Sequence, residues 1–225
     1  MISIIMNSYS PNKAQRHMDM ECIAEIRKYT DGDYEIIIID NDQTHRFRDD
    51  YGVLAPYTLI EQENTNVYES YHRGAQIAKG DIFVFIQNDV YVHEGCIDKL
   101  AVYLKEYDVA FPQQIPISRE DVKKIYEVKD GELAHVGQRD AGLIMITREA
   151  YERCGGWDTR FHNMLGEKAF FIRWDQTGVS WVDRTNAFIS HIMAGNNLRK
   201  EDAVYNEEMA HDAKLIEEFY GGRPG

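Results

Sequence analysis

Two carboxylates, Asp40 and Asp89, stand at the ends of long apolar runs in the first half of the chain. Asp40 follows the four isoleucines at 36–39, and Asp89 follows the apolar run at 82–86 with two polar residues between. Each run predicts a β-strand buried on both faces, which is typical of a parallel sheet that helices cover on both sides. Ligands of such sheets bind in the crevice beyond the carboxyl ends of the strands. We therefore expect Asp40 and Asp89 to converge on one site.

Alternating strands and helices must position these two acids. Apolar residues at helical spacing and turn-forming residues at the boundaries delimit the segments of the first half. Their βαβαβ order predicts a doubly wound α/β domain. The expected strands are 3–7, 34–39, 58–61, 81–89 and 109–111, and the expected helices are about 12–29, 67–79 and 94–107.

The second half of the chain is less regular. A polar stretch at 113–139 contains a turn signal that predicts a hairpin near Asp130-Gly131. The tail from about 200 to 220 predicts a charged amphipathic helix. Between them we expect helices at 148–154 and 167–177, a tight turn at 155–158, and strands at 179–183 and 186–191.

Length, charge and cysteine usage limit the classes of function. The 225 residues suit one domain, or one domain with a small appendage. A net charge of −13 disfavours a nucleic-acid partner, because binding a phosphate backbone depends on Lys and Arg. The apolar runs are too short for a transmembrane segment, and the N-terminal run lacks the basic flank of a signal peptide. Three widely spaced cysteines, Cys22, Cys96 and Cys154, indicate reduced thiols, so we expect a cytoplasmic protein.

Several segments carry polar residues at the ends of the predicted elements. In chain order they are SIIMNSYS, IIIIDN, NTNVYESYHRG followed by AKGD, FIQNDV, GLIMITREAYERCGGWDTRF and GEKAFFIRWDQTG, with a last strand that ends at His191. Their order and spacing resemble glycosyltransferase family 2, over residues 1 to about 191.

The resemblance implies a fold and a reaction. The fold would be α/β, of the GT-A type: a Rossmann-like, mostly parallel mixed sheet flanked by helices. The domain would span 1–199, with a nucleotide-sugar-binding half at 1–111, an acceptor-side half at 112–199, and a C-terminal amphipathic helix at 200–225. The reaction would be the inverting, hexosyltransferase-like transfer of a sugar from a nucleoside diphosphate-sugar to a hydroxyl of a saccharide or glycoconjugate.

The resemblance also implies a divalent metal, held by Asp89 and His191. The family usually has two acids near Asp89, and here Gln87 replaces the first of them. One carboxylate still suffices for Mg²⁺ beside substrate phosphates, and a nitrogen ligand favours Mn²⁺ over Mg²⁺. The alternatives are a turn-capping role for Asp89 and a structural role for His191.

On the donor side, the resemblance assigns Asp40 to the base or ribose of the nucleotide. Ser8 and Tyr9, from the first turn, and Asn88 would lie beside it, with Tyr9 able to stack on the base. Arg73 would meet the diphosphate. The alternatives are a turn cap for Asp40 and ordinary surface positions for Tyr9 and Arg73.

On the acceptor side, Glu167 is the candidate general base, at the start of a predicted helix. Gly166 stands where the family has another acid. A carboxylate at Glu167 could deprotonate the acceptor hydroxyl for in-line attack, or could merely stabilise the helix N-terminus. Asp158 and Asp140 are the substitutes for the base. Trp157 either offers a flat face to the acceptor or belongs to the core.

Two other functions remain open. The motifs that contain fewer acids than is usual in the family fit a catalytically inactive module that binds a sugar nucleotide. A nucleotidyltransferase on a similar sheet is less favoured, because such enzymes usually carry a Gly-rich, basic loop after the first strand, where this chain has SYSPNK.

Overall fold

The strands of the protein form two sheets of different size. The structure, a computed structural model, describes residues 1–9, 13–41, 56–63, 66–117, 142–162, 165–192 and 203–221. The larger sheet has seven strands in the order β3-β2-β1-β4-β8-β6-β9, and the smaller has three in the order β5-β10-β7. The strands are β1 Ile2–Ser8, β2 Tyr34–Asp40, β3 Thr58–Glu61, β4 Ile82–Gln87, β5 Val90–Val92, β6 Val109–Ala110, β7 Gln113–Ile117, β8 Leu143–Thr147, β9 Trp181–Val182 and β10 Phe188–Ile192.

Four neighbouring parallel strands form one side of the larger sheet, from its edge strand β3 to β4. β1 lies between β2 and β4 and is parallel to both, and β3 extends the sheet beyond β2. β8 pairs with β4 in the antiparallel direction. The sheet is thus mixed and mostly parallel on the side where the first half of the chain lies, which confirms the predicted fold class.

Helices cover the larger sheet on both faces. The helices are α1 Lys13–Tyr29, α2 Val67–Ile77, α3 Cys96–Tyr103, α4 Arg148–Arg153, α5 Leu165–Thr177 and α6 Ala203–Tyr220. Residues of α1 and α3 pack with Ile36 and Ile38 on one face, and residues of α2, α4, α5 and α6 pack with Ile37 and Ile39 on the other. Because successive side chains of a strand point to opposite faces, an unbroken run of isoleucines buries both.

The chain leaves the larger sheet earlier than the sequence suggests. We expected one strand to reach Asp89, but β4 ends at Gln87, and Asn88 and Asp89 form a turn that leads into β5. β5 pairs with β10, and the amide of Ile192 donates to the carbonyl of Asp89 at 3.0 Å. The long-range partner β10 therefore breaks the apparently continuous strand into two.

Other differences concern element boundaries. α2 ends at Ile77, two residues early, because Ala78 takes an extended conformation after donating to the carbonyl of Gly74. α3 covers Cys96–Tyr103 where we expected 94–107. The polar segment after 112 contains an unexpected strand, Gln113–Ile117, paired with β10. The hairpin expected near 130–131 lies outside the described residues.

The C-terminal helix α6 packs against the rest of the protein. Ile216 is fully buried in the same cluster as residues of α2 and α5. Asp212, also fully buried, accepts from the amide of His162 at 3.0 Å. Within the described residues, the helices are all too short or too polar to span a membrane.

Candidate functional site

The carboxyl ends of the adjacent strands β2, β1 and β4 lie side by side and form the carboxyl edge of the larger sheet. Both predicted acids lie there. Ser8 is in register with Asp40, and Asn7 is in register with Gln87. Since neighbouring strands are about 4.8 Å apart, the ends of β2 and β4 are about 10 Å apart. Asp40 is fully buried at its tip. Asp89 lies two residues beyond the end of β4.

Asp89 and His191 are brought together by the junction between the two sheets. The Nε2 atom of His191 lies 3.4 Å from Oδ1 of Asp89. His191 is only 6% exposed, on β10 opposite Val90 of β5. Residues that are 102 positions apart in sequence therefore face each other, as the metal prediction requires.

The ring of His191 is oriented by a second hydrogen bond. Its Nδ1 lies 3.2 Å from Oε1 of Gln114 on β7. An amide oxygen only accepts, so this contact is a hydrogen bond in the tautomer that carries the proton on Nδ1, and in that tautomer Nε2 directs its lone pair toward Asp89. Two acceptors that face each other need a proton or a cation between them. Metal-ligating histidines usually donate their other ring N–H in this way.

The donor set fits a divalent cation on geometry and chemistry. Two ligands at about 2.1 Å from an octahedral ion lie about 3 Å apart, close to the separation of Asp89 and His191. In the part of the chain that the structure describes, no third His, Cys, Asp or Glu completes a cluster with them. Further ligands would have to be water or the oxygens of a bound substrate.

Ser8 and Asn88, two predicted donor residues, both hydrogen-bond to Asp19. The Ser8 hydroxyl donates to Oδ2 of Asp19 at 2.6 Å, and Nδ2 of Asn88 donates to Oδ1 at 2.5 Å. We did not predict Asp19 from the sequence. The signal was an acid on the apolar stripe of α1, at helical spacing from Cys22 and Ile26.

A polar network lies beneath the tips of β1 and β2. Nδ2 of Asn41 donates to Oδ1 of Asn7 at 2.6 Å and to the hydroxyl of Ser70 at 2.9 Å, and Gln62 donates to Oδ1 of Asn41 at 2.7 Å. Arg73 joins from α2 by donating to Oε1 of Gln62 at 2.9 Å. The network fixes the ends of β1 and β2. Through Gln62 it also orients the exposed side chain of Arg73 toward these strand ends.

Glu167 lies in the first turn of α5, against the start of α2. Its amide donates to the hydroxyl oxygen of Tyr68 at 3.2 Å. Gly166 explains the departure from the two-acid motif, because a Cβ there would come within 2.3 Å of the Tyr68 ring. The ring packs onto the helix start, so a side chain at 166 would force the ring or the helix start to move.

Tyr71 is a buried residue on which both acidic parts of the site exert an electrostatic influence. It is 1% exposed, and its ring packs against Phe85 and Trp157. Burial raises its pKa well above the usual value, and the negative charges of Glu167 and Asp89 raise it further. Its hydroxyl has no hydrogen-bond partner among the described residues. The hydroxyl therefore keeps its proton, and it feels the charges of both the candidate base and the candidate metal ligand.

The remaining predicted residues differ in their burial and in their contacts. Trp157 is 2% exposed, with its ring 4.0 Å from that of Phe170, so its burial favours the core role that the sequence left open. Asp158 accepts from Arg160 at 2.6 Å and from the hydroxyl of Tyr220 at 2.7 Å. Tyr9 is 38% exposed beyond β1. Asp140 lies outside the described residues.

Comparisons with known proteins agree with this architecture. Residues 20–194 match the model of the family described as glycosyl transferase family 2. No curated protein matches the chain. The crystal structure of S. aureus TarS 1-349 in complex with UDP matches with a TM-score of 0.64 at 12% identity. That match covers 96% of this chain and 65% of the TarS chain, so this chain spans about two thirds of that structure. At such low identity the likeness shows the fold alone. The family match covers well over half of the sequence, and the chain therefore belongs to glycosyl transferase family 2.

Proposed function

We propose that the protein is an inverting, metal-assisted glycosyltransferase, which moves a sugar from a nucleoside diphosphate-sugar to an acceptor hydroxyl. The observation that carries this proposal is the pairing of Asp89 with His191, 3.4 Å apart at the carboxyl edge of the sheet. The influence of both Glu167 and Asp89 on the pKa of Tyr71 supports a base close to the same site. A cation site and a carboxylate base are the groups that such a transfer uses.

Asp89 and His191 would hold the divalent cation. A carboxylate with an imidazole suits Mn²⁺ better than Mg²⁺, which prefers oxygen ligands. When bound, the cation would neutralise the charge that develops on the departing diphosphate. Asp89 contributes the negative charge, and His191 contributes a lone pair that Gln114 keeps pointed toward it.

The donor nucleotide would lie over the tips of β1 and β2. UDP is the ligand bound to TarS, and a uridine diphosphate-sugar is therefore the first donor to test. Asp40 and Ser8 are fully buried, which favours a supporting role for both. Tyr9, exposed beyond Ser8, offers its ring to the base, and Arg73 offers its charge to the diphosphate.

Glu167 would act as the general base toward the acceptor. A carboxylate at a helix start stays ionised readily, and it would accept the acceptor's proton as the oxygen attacks the anomeric carbon. Tyr71, which keeps its proton, would donate a hydrogen bond to an oxygen of the bound substrate. Binding both substrates in one cleft supplies the orientation on which a single displacement depends.

The chemistry of the acceptor and the compartment belong to the same proposal. A net charge of −13 argues for a saccharide or glycoconjugate over a nucleic acid. Cys22, Cys96 and Cys154 are all buried and free, which supports a reducing compartment such as the cytoplasm.

A panel of nucleoside diphosphate-sugars tests the proposal. Each donor is incubated with Mn²⁺, Mg²⁺ or EDTA, and the release of the nucleoside diphosphate is measured with and without candidate saccharide acceptors. We expect release that depends on both the cation and the acceptor, with inversion at the anomeric carbon of the product. Tight donor binding without turnover for every acceptor would instead favour the inactive binding module, which the loss of acids at Gln87 and Gly166 would then explain.

A further inference from the structure

Asp19 is a buried carboxylate that connects α1 to both strand tips at the site. It is fully buried, on the same stripe of the helix as Cys22 and Ile23. Its two oxygens accept from two different elements: Oδ2 from Ser8 at the end of β1, and Oδ1 from Asn88 in the turn after β4. An ionised carboxylate is the side chain best suited to accept two short hydrogen bonds at once.

A second contact of α1 reaches the last residue of β4, immediately before this turn. The thiol of Cys22 donates to the carbonyl of Gln87 at 3.9 Å. Burial raises the pKa of Cys22, and the charges of Asp19 and then Asp89 raise it further. Both carboxylates therefore lie near this thiol. Because Asp19 and Cys22 are three residues apart, one face of α1 meets the turn at consecutive positions.

The turn that carries Asp89 is thus held from two sides. From β10, the amide of Ile192 donates to the carbonyl of Asp89. From α1, Asp19 fixes the side chain of Asn88. Only two residues separate β4 from β5, so fixing Asn88 also fixes the direction in which the Asp89 carboxylate points.

We propose that Asp19 is a positioning residue for the cation site, acting through its hydrogen bond to Asn88 to aim Asp89 at His191. The inference rests on the proposed function, because it takes Asp89 and His191 as metal ligands. Gln87 offers no carboxylate, so the cation depends on Asp89 alone. The orientation of Asp89 therefore matters more than it would in a site with two acids. Groups that orient metal ligands are typically worth 10- to 100-fold in metal affinity.

Direct titration with Mn²⁺ tests this role without an activity assay. The affinity of the full chain is measured by the electron paramagnetic resonance of free Mn²⁺ for Asp19→Ala, Asp19→Asn and the wild type. We expect Asp19→Ala to bind about 10-fold more weakly. Asp19→Asn should stay within about 3-fold, because its amide oxygen accepts from Asn88 while its NH₂ donates to the Ser8 hydroxyl. A wild-type affinity in Asp19→Ala would overturn the proposal.

Asn88→Ala tests the same connection from the partly exposed turn, where the fold is not at risk. It should weaken Mn²⁺ binding as much as Asp19→Ala, and the double variant should lose no more than about 2-fold beyond either. Unchanged affinity in Asn88→Ala, or additive losses in the double variant, would refute a path through Asn88. Glu21→Ala, an acid on the same helix that accepts from Tyr91, is the matched control and should bind Mn²⁺ normally.

Asp89→Ala separates this inference from the proposed function. If Asp89→Ala binds Mn²⁺ as the wild type does, the cation site itself is refuted. If Asp89→Ala loses binding while Asp19→Ala and Asn88→Ala keep it, the cation site stands and the positioning role of Asp19 fails.

Discussion

Glu167 is the residue on which the proposed transfer step depends most. Glu167→Gln keeps the size of the side chain and the hydrogen bond from the backbone amide of residue 167 to the Tyr68 hydroxyl. It removes the carboxylate that accepts a proton. We expect unchanged donor affinity and a decrease in kcat of ~10²-fold or more. Asp175→Asn, on the same helix, is the control and should leave kcat unchanged. Wild-type turnover in Glu167→Gln would transfer the role of base to another acid.

Tyr71 provides a test in which stability and activity should move in opposite directions. Its buried hydroxyl has no partner among the described residues, and a buried polar group without a hydrogen bond costs free energy. Tyr71→Phe should therefore leave the melting temperature unchanged or raise it. If the hydroxyl binds substrate, kcat/KM should nevertheless fall about 5-fold, since a hydrogen bond is worth about 1 kcal/mol.

Tyr68→Phe is the contrasting variant, because its hydroxyl accepts from the amide of Glu167. Loss of that bond should lower the melting temperature. If Tyr71→Phe lowers stability and leaves kcat/KM unchanged, the hydroxyl belongs to the fold and has no role toward the substrate.

At the scale of elements, the junction of α2 with α5 sets the position of the candidate base. Gly166 lets the Tyr68 ring lie against the first turn of α5, where a Cβ would be 2.3 Å from a ring atom. Gly166→Ala should push the two helices apart and cost about 1–3 kcal/mol of unfolding free energy, as overpacking typically does. Urea unfolding measures this cost. In a Tyr68→Ala background the same substitution should cost much less, and an equal cost in both backgrounds would contradict the steric explanation.

The sequence predicts elements well where the signal is local. The isoleucines at 36–39 and the apolar run at 82–86 define central strands because burial on both faces leaves no other pattern. The residues around 82–89 could not predict where β4 ends. The end is set by β10, about a hundred residues later, where the amide of Ile192 donates to the carbonyl of Asp89. Asp19 was missed for the same reason: its partners come from β1 and from the turn after β4.

At the scale of the whole molecule, polar contacts attach α6 to the segment at 158–162. Asp212 of α6 holds the amide of His162, and Tyr220 donates to Asp158. The same segment receives a hydrogen bond from Asn66, which caps α2, at the carbonyl of Thr159. The C-terminal helix therefore stabilises a segment that connects directly to the helix start carrying the candidate base.

The Asp158 contacts predict how this attachment responds to acid. Burial raises the pKa of Asp158, but hydrogen bonds from Arg160 and Tyr220 outweigh it and lower the pKa to about 2. A carboxyl whose folded pKa lies below its unfolded value of about 3.9 binds fewer protons in the folded state. Its contribution to stability is therefore complete above pH 4 and is lost as the pH falls toward 2.

Tyr220→Phe removes one of the hydrogen bonds that depress this pKa. The variant should be less stable than the wild type at pH 5 to 7, and the difference in unfolding free energy should shrink as the pH falls from about 4 through about 2, because Asp158 becomes progressively protonated over this range. Urea unfolding at several pH values measures it, and comparing the two proteins cancels the titration of other acids. Asn206→Ala, at an exposed position on the same helix, should differ from the wild type by an amount independent of pH. If the difference for Tyr220→Phe stays constant over this range, the stability that the Tyr220–Asp158 hydrogen bond contributes does not depend on the protonation of Asp158.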